Sequence, residues 1–253
     1  MPQLRDAEFL WGKDTNETED VLKDTLGASA GRRGRPIEVA SIGPAGEKRS
    51  LIAAIVNDKG RAAGRSGVGA VMGSKRLKAI AVTGRAAVPL FDPERVQALR
   101  QHYLQRHGGA YELFVKYGTI GITASSILSG DAPVKNWGGA GPVDFPRGAV
   151  AFDPDTVIAL QDRKYGCWRC SMACGGHMSV KAPPGPYQGV RHHKIEYETA
   201  GAWGTMTLTD DIPALVKINE LCNHRHREIP FRPCHDHRPG HRGDHGARVR
   251  RDR

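Results

Sequence analysis

The chain has 253 residues, 39% of them hydrophobic and 25% charged, with a mean hydropathy of −0.46. That is room for one large domain or two ordinary ones, each with its own core. It excludes a bundle of membrane helices, because no stretch approaches the roughly 18 apolar residues that span a bilayer. The first residues lack the basic and apolar regions of a secretory leader. Three of the five cysteines fall within eight residues, which suits metal binding in a reducing compartment better than a disulfide framework, so the expected location is cytoplasmic. The formal charge of +10 raises nucleic acid as a partner. Half of that charge, +5 from nine Arg against four acids, sits in residues 224–253, which disfavours a basic binding face on the folded part.

Asp14-Thr15-Asn16-Glu17 is a capping box, and it predicts a helix over Glu17–Leu26 that Gly27 can end. Pro36–Gly43 alternates toward a strand ending at glycine, whereas Leu51–Val56 is apolar but too short to classify. Gly60–Lys75 is glycine-rich and leads into Leu77–Gly84, a buried-strand candidate. Beyond Pro89 the pattern turns helical. Asp92-Pro93 and Asp153-Pro154 each place a capping aspartate before a proline at the first helical position. Val96, Leu99, Tyr103 and Leu104 follow the first at helical spacing, and Val157, Ile158 and Leu160 follow the second. Asp210-Asp211-Ile212-Pro213 opens a further helix, expected to pack through Leu215, Ile218, Leu221 and Cys222.

After Asn223 no periodicity, cap or alternation survives in thirty residues rich in Arg, His, Gly and Pro. Such a tail cannot build a core. It reads as disordered, as a His-rich metal tail, or as out-of-frame translation.

Three segments carry chemistry. In Gly166-Cys167-Trp168-Arg169-Cys170-Ser171-Met172-Ala173-Cys174-Gly175-Gly176, three thiols share one tight run flanked by small residues, a pattern suited to the thiolate ligation of an iron–sulfur cluster. Zinc is the competing reading, but zinc ribbons pair two Cys-x-x-Cys units or add His at fixed spacing. Neither Cys222, expected as a small core residue, nor Cys234 in the tail is a convincing fourth ligand. In Gly60–Lys75, exposed main-chain amides with Arg61, Arg65 and Lys75 suit a phosphate or pyrophosphate. The segment matches neither nucleotide-loop pattern, and a tight structural turn would explain it equally well. In Ile195–Gly204, Glu196 and Glu198 stand among aromatic and small residues, where a carboxylate can act as an acid–base group or be merely solvated.

Taken together, these segments resemble the aldehyde:ferredoxin oxidoreductase family of tungsten enzymes. The resemblance rests on Leu10-Trp11-Gly12-Lys13-Asp14-Thr15, Gly64–Ile80 with its Gly-Ala-Val-Met-Gly-Ser-Lys string, Lys135-Asn136-Trp137, the cysteine run and Glu196-Tyr197-Glu198-Thr199. It covers about residues 8 to 223. It implies a tungsten bis-pterin cofactor, with molybdenum as the alternative metal and Mg2+ bridging the pterin phosphates, beside a 4Fe-4S cluster. It also implies oxidation of a small aldehyde to a carboxylic acid, ferredoxin as the electron acceptor, and a homo-oligomer as one allowed state. By the resemblance, Arg61, Ala62, Gly64 and Arg65 contact the pterin and its phosphates. Cys167, Cys170 and Cys174 ligate the cluster. A glutamate of the Glu-Tyr-Glu segment lies near the tungsten, with Glu198 favoured over Glu196.

The expected fold class is α+β: residues 1–88 are the end of a β-rich cofactor-binding domain, 91–223 the start of a helical iron–sulfur domain, and 224–253 a disordered tail. Family members are far longer, so the chain reads as a fragment without the fourth cluster cysteine, and a frameshift near Asn223 would account for the tail. A fragment of this kind could be inactive. The competing function is a small iron–sulfur electron carrier or binding module without pterin.

Overall fold

The computed structural model describes residues 2–30, 36–84, 87–106, 108–167, 170–181 and 184–225. The expected tail, apart from its first two residues, lies outside them. Helix α1 (Thr15–Ala30) starts on the capping box, where Asp14 Oδ1 accepts from the Glu17 amide at 2.8 Å and Glu17 Oε2 accepts from the Asp14 amide at 3.1 Å. It runs three residues past Gly27, which lies within the helix.

Four antiparallel strands follow: β1 (Glu38–Ser41), β2 (Ile55–Asn57), β3 (Arg61–Ala63) and β4 (Ala79–Val82), in the order β3-β2-β1-β4. The glycine-rich segment is thus not one loop. It supplies β3, then a 3-10 turn in which Ser66 and Gly67 have φ of 68° and 63°, then helix α3 (Val68–Ser74). Its later glycines serve packing. A Cβ on Gly73 would overlap the carbonyl of Gly46 in the short helix α2 (Pro44–Glu47), and one on Gly69 would overlap the Ala53–Ala54 backbone. Val39, Ile42, Val56 and Met72 form the local core. Strand β4 departs from the buried-strand expectation: it is an edge strand, and Ile80 and Val82 are 48% and 59% exposed.

The second part holds α4 (Pro93–Gln105), α5 (Gly109–Tyr117), α6 (Thr123–Ser129), α7 (Gly141–Asp144), α8 (Gly148–Ala151) and α9 (Pro154–Ile158). Asp92 and Asp153 cap α4 and α9, accepting from the Arg95 amide at 2.8 Å and the Thr156 amide at 3.0 Å. The side chains spaced for a helix in α4, Val96, Leu99 and Tyr103, all stay exposed. The expected helical region also contains a sheet, β5 (Gln161–Tyr165), β6 (Gly175–Ser179) and β7 (Arg191–His193), antiparallel in the order β5-β6-β7. Helix α10 (Tyr197–Thr199) continues into a π-helical turn over Ala200–Thr205, and α11 (Ile212–Arg225) follows. Ile127, Val134, Phe152, Met178, Ile195 and Leu215 anchor this core.

Leu215 of α11 is buried and Ile218 packs against the core as expected, Val216 is buried without having been named, and Leu221 is exposed. The helix also carries through His224, which the sequence places in the tail. His224 Nε2 lies 3.0 Å from Asn16 Nδ2 on α1, and Thr15 Oγ1 donates to the Asn223 carbonyl at 3.4 Å. This contact closes the second part back onto the first.

Candidate functional site

A cavity of about 430 Å³ opens between the two parts. The β2–β3 hairpin and the turn after it bring Arg61, Ala62, Gly64 and Arg65 to one wall. Tyr165 at the end of β5, His193 at the end of β7, and Lys194, Glu196 and Glu198 just beyond form the second. Asn219, Cys222 and Asn223 of α11 form the third. All four residues expected to contact the cofactor and the favoured carboxylate therefore face one space.

Arg61 is the most constrained of them. Its guanidinium lies 4.7 Å from the centre of the Tyr165 ring, and a Cβ on Gly175 would overlap its Nη2. Its buried Nε and Nη2 have no hydrogen-bond partner among the described residues. A buried cationic donor left unpaired is costly, and an anionic oxygen in the cavity relieves that cost. The donors thus fit a phosphate-bearing group. Tyr165 is held in turn by its hydroxyl, 2.6 Å from His193 Nδ1, and burial pushes its phenol up to about 12. A Cβ on Gly60 would lie 2.7 Å from His193 Nε2, so glycine there lets the imidazole seat directly under the Arg61 strand. Burial, then the neighbouring His177 and Arg61, pull His193 down to about 4, so this pair is neutral at ordinary pH.

The two carboxylates have different surroundings. Glu196 Oε2 accepts from the Thr119 amide at 2.9 Å and hydroxyl at 2.7 Å, and its Oε1 lies 3.4 Å from Lys194 Nζ. Glu198 is exposed to the cavity and makes no hydrogen bond or ion pair among the described residues. Glu198 is therefore free to meet a group in the cavity, whereas the Glu196 carboxylate is committed to Thr119 and Lys194.

The cysteine run is the connection between β5 and β6, a hairpin no apolar alternation announced. Cys167 and Cys170 are exposed and joined by a Cys170 N–H to Cys167 carbonyl bond of 2.9 Å; Cys174 is half-buried. All three are unbridged thiols of the kind cluster iron takes. Among the described residues, no three His, Cys, Asp or Glu side chains converge on a metal position, so the run matches a cluster by donor chemistry rather than by a closed cage. It abuts the cavity wall through Gly175 on Arg61 and through the Cys174 carbonyl, which accepts from Lys194 Nζ at 2.7 Å.

Sequence reasoning missed Asn219, Asn223, Tyr165, His193 and Lys194. Asn219 Nδ2 donates to the His193 carbonyl at 3.0 Å, and Asn223 Nδ2 lies 2.8 Å from His192 Nε2. No motif marks these residues; the one available signal was the density of polar residues at 191–196. Cys222, expected in a core, is half-buried and lines the cavity.

Known proteins are similar to this chain in sequence. The family description "Aldehyde ferredoxin oxidoreductase, N-terminal domain" matches residues 2–84, and "Aldehyde ferredoxin oxidoreductase, domains 2 & 3" matches residues 94–225. Tungsten-containing aldehyde ferredoxin oxidoreductases of Pyrococcus furiosus and Thermococcus kodakarensis are each 34% identical, over 230 and 228 residues, covering 87% of this chain and 34% of theirs. An aliphatic sulfonate oxidoreductase, WOR-like subunit, of Pyrococcus furiosus is 29% identical over 212 residues, covering 80% of this chain and 33% of its own. Among solved structures, the active-site complex BamBC of benzoyl coenzyme A reductase with 1,5-dienoyl-CoA superposes with a TM-score of 0.65 at 22% identity, over 89% of this chain and 34% of that one, which shows a shared fold. The chain spans about a third of the length of the curated relatives it matches. No helix among the described residues is long and apolar enough to cross a membrane. With both domain descriptions matched in order and a third of the residues identical across most of its length, the chain belongs to the aldehyde ferredoxin oxidoreductase family of oxidoreductases.

Proposed function

We propose that this chain forms the cofactor-facing wall of an enzyme that oxidises a small aldehyde to a carboxylic acid and passes the electrons to ferredoxin. One observation carries the reading: the arginine strand and the unpaired Glu198 line a single cavity whose wall is bonded to the cysteine run. Arg61, Ala62, Gly64 and Arg65 would hold a tungsten bis-pterin with its Mg2+, molybdenum being the alternative metal. Cys167, Cys170 and Cys174 would hold a 4Fe-4S cluster. When bound, these groups supply the two-electron oxidation of the carbonyl and its division into single-electron steps. The residues around them bind, orient and move protons. Arg61 donates from its two unpaired nitrogens to phosphate oxygens, and the neutral Tyr165–His193 pair keeps the guanidinium in place. Conversion of an aldehyde and water to an acid releases two protons and two electrons, and Glu198 accepts a proton from the attacking water.

The test is anaerobic production of the chain with iron, sulfide and tungstate, followed by metal and pterin analysis and an aldehyde-dependent ferredoxin-reduction assay. Protein that takes up zinc but no iron and shows no sulfide-dependent visible absorbance refutes the cluster assignment. Redox-active iron with neither tungsten nor pterin supports the simple electron carrier instead. Glu198→Gln should lower turnover about 100-fold with metal content unchanged, the usual size of a lost general base.

A further inference from the structure

Lys194 follows β7 with a side chain 1% exposed, yet it lies on the cavity wall. Its Nζ donates to the Cys174 carbonyl at 2.7 Å and to the Tyr117 carbonyl, and it faces Glu196 Oε1 at 3.4 Å. Its main-chain amide donates to the Gly176 carbonyl at 2.7 Å. Both ends of the residue therefore clamp the segment that leaves the cysteine run. Gly118, with φ of 75°, makes the space: a Cβ there would overlap Nζ and lie 3.0 Å from the Cys174 carbonyl.

The three neighbours of Nζ are all acceptors. An ammonium has three hydrogens and satisfies all of them, while a neutral amine has two and would leave one acceptor facing a lone pair. Burial pulls Lys194 below the ordinary lysine value and the Glu196 carboxylate opposes that pull, while the three acceptors favour the ammonium and leave no donor for a ligand in the cavity. A buried unit charge bonded to the backbone of a candidate iron ligand acts on that iron through a medium far less screening than water.

We propose that Lys194 is a positioning residue for electron transfer, a fixed positive charge that anchors the Cys174 end of the run and raises the reduction potential of the group held there. This rests on the reading of Cys167, Cys170 and Cys174 as cluster ligands. One electron leaving the cavity oxidises its donor there by one equivalent and reduces the cluster by one. No proton moves to Lys194, whose three hydrogens are already committed. The added negative charge is stabilised by the ammonium, and Glu196 partly offsets that effect.

The experiment is reconstitution with iron and sulfide alone, followed by an anaerobic redox titration of the wild type, Lys194→Met, Lys194→Arg and Glu196→Gln. Loss of the charge in Lys194→Met should weaken reduction about 10- to 100-fold, a fall of roughly 60–120 mV at 59 mV per tenfold for one electron. Lys194→Arg should keep most of the wild-type potential, and Glu196→Gln should shift it upward. Opposite shifts from the two charge removals cannot come from loosened packing. If Lys194→Met does not fold, the direction of the Glu196→Gln shift decides. Full iron content with an unchanged or lowered potential in Glu196→Gln overturns the proposal, as does an unchanged potential in a folded Lys194→Met. Absence of iron and sulfide from the wild type overturns the cluster reading, and this inference with it.

Discussion

Lowering the pH from 7 to 5 should lower stability through His192 and His193, which stay neutral in the fold while the unfolded chain protonates. His192 is buried, and its Nε2 accepts from Asn223 Nδ2 at 2.8 Å, so its one ring proton is on Nδ1. The rings of His193 and His224 lie 5.2 and 5.8 Å away, centre to centre. Burial first, then the neighbouring His193 and His224, pull His192 down to about 3, from an ordinary 6.5; His193 falls to about 4. Both pKa values are lower folded than unfolded, so between pH 6.5 and 4 the unfolded chain binds more protons. The stability they contribute is complete above pH 6.5 and is lost as the pH falls toward 4. From pH 7 to 5, linkage gives about 2 kcal/mol for each ring and about 3–4 kcal/mol for the pair. With a urea slope of about 2 kcal/mol/M, the unfolding midpoint followed by tryptophan fluorescence should drop by about 1.5–2 M. His192→Asn keeps a side chain able to accept from Asn223 and should remove about half of that dependence, by the same linkage. A midpoint that is equal at the two pH values, or higher at pH 5, would refute the buried neutral histidines.

Three further changes test other parts of the argument. Lys78 and Glu47 form a buried pair, Nζ to Oε1 2.5 Å, with a second Lys78 bond to the Lys13 carbonyl at 2.7 Å. Lys78→Met should cost about 3–5 kcal/mol in urea unfolding because it strands the carboxylate, and adding Glu47→Leu should recover most of it. Gly73→Ala forces α3 away from the Gly46 carbonyl and should cost about 2–3 kcal/mol or more; unchanged stability would contradict the close approach of α2 and α3. Arg61→Met should weaken pyrophosphate binding to the metal-free protein at least about 10-fold by calorimetry, the worth of a charged hydrogen bond. Equal affinity would remove the anion role of its unpaired nitrogens.

Local chemistry was legible wherever its partners are near in sequence. The caps at Asp14, Asp92 and Asp153 each bond an amide three residues on; α4 and α9 begin at the prolines where the pattern places them, and α1 begins two residues before the expected Glu17. The same locality explains what was missed. Strand β5 reads Gln-Asp-Arg-Lys-Tyr and β7 reads Arg-His-His, with no alternation to announce them. They are strands because β6 lies between them and supplies the backbone pairing. Ile80 and Val82 show the reverse error: apolar, β-prone residues predicted burial, but no element covers the outer face of β4 within the described residues.

The sequence by itself determined the family, the thiols of Cys167, Cys170 and Cys174, and the cationic character of Arg61 and Arg65, because these are matters of residue type and short spacing. Only the tertiary structure decided that Arg61 and Glu198 share a cavity, that Glu196 is tied to Thr119 and Lys194, and that the buried Lys194 side chain joins the cavity to the cysteine run. Each of those depends on closing the chain over long separations, so that desolvation and hydrogen bonding act between residues with no sequence relation to one another.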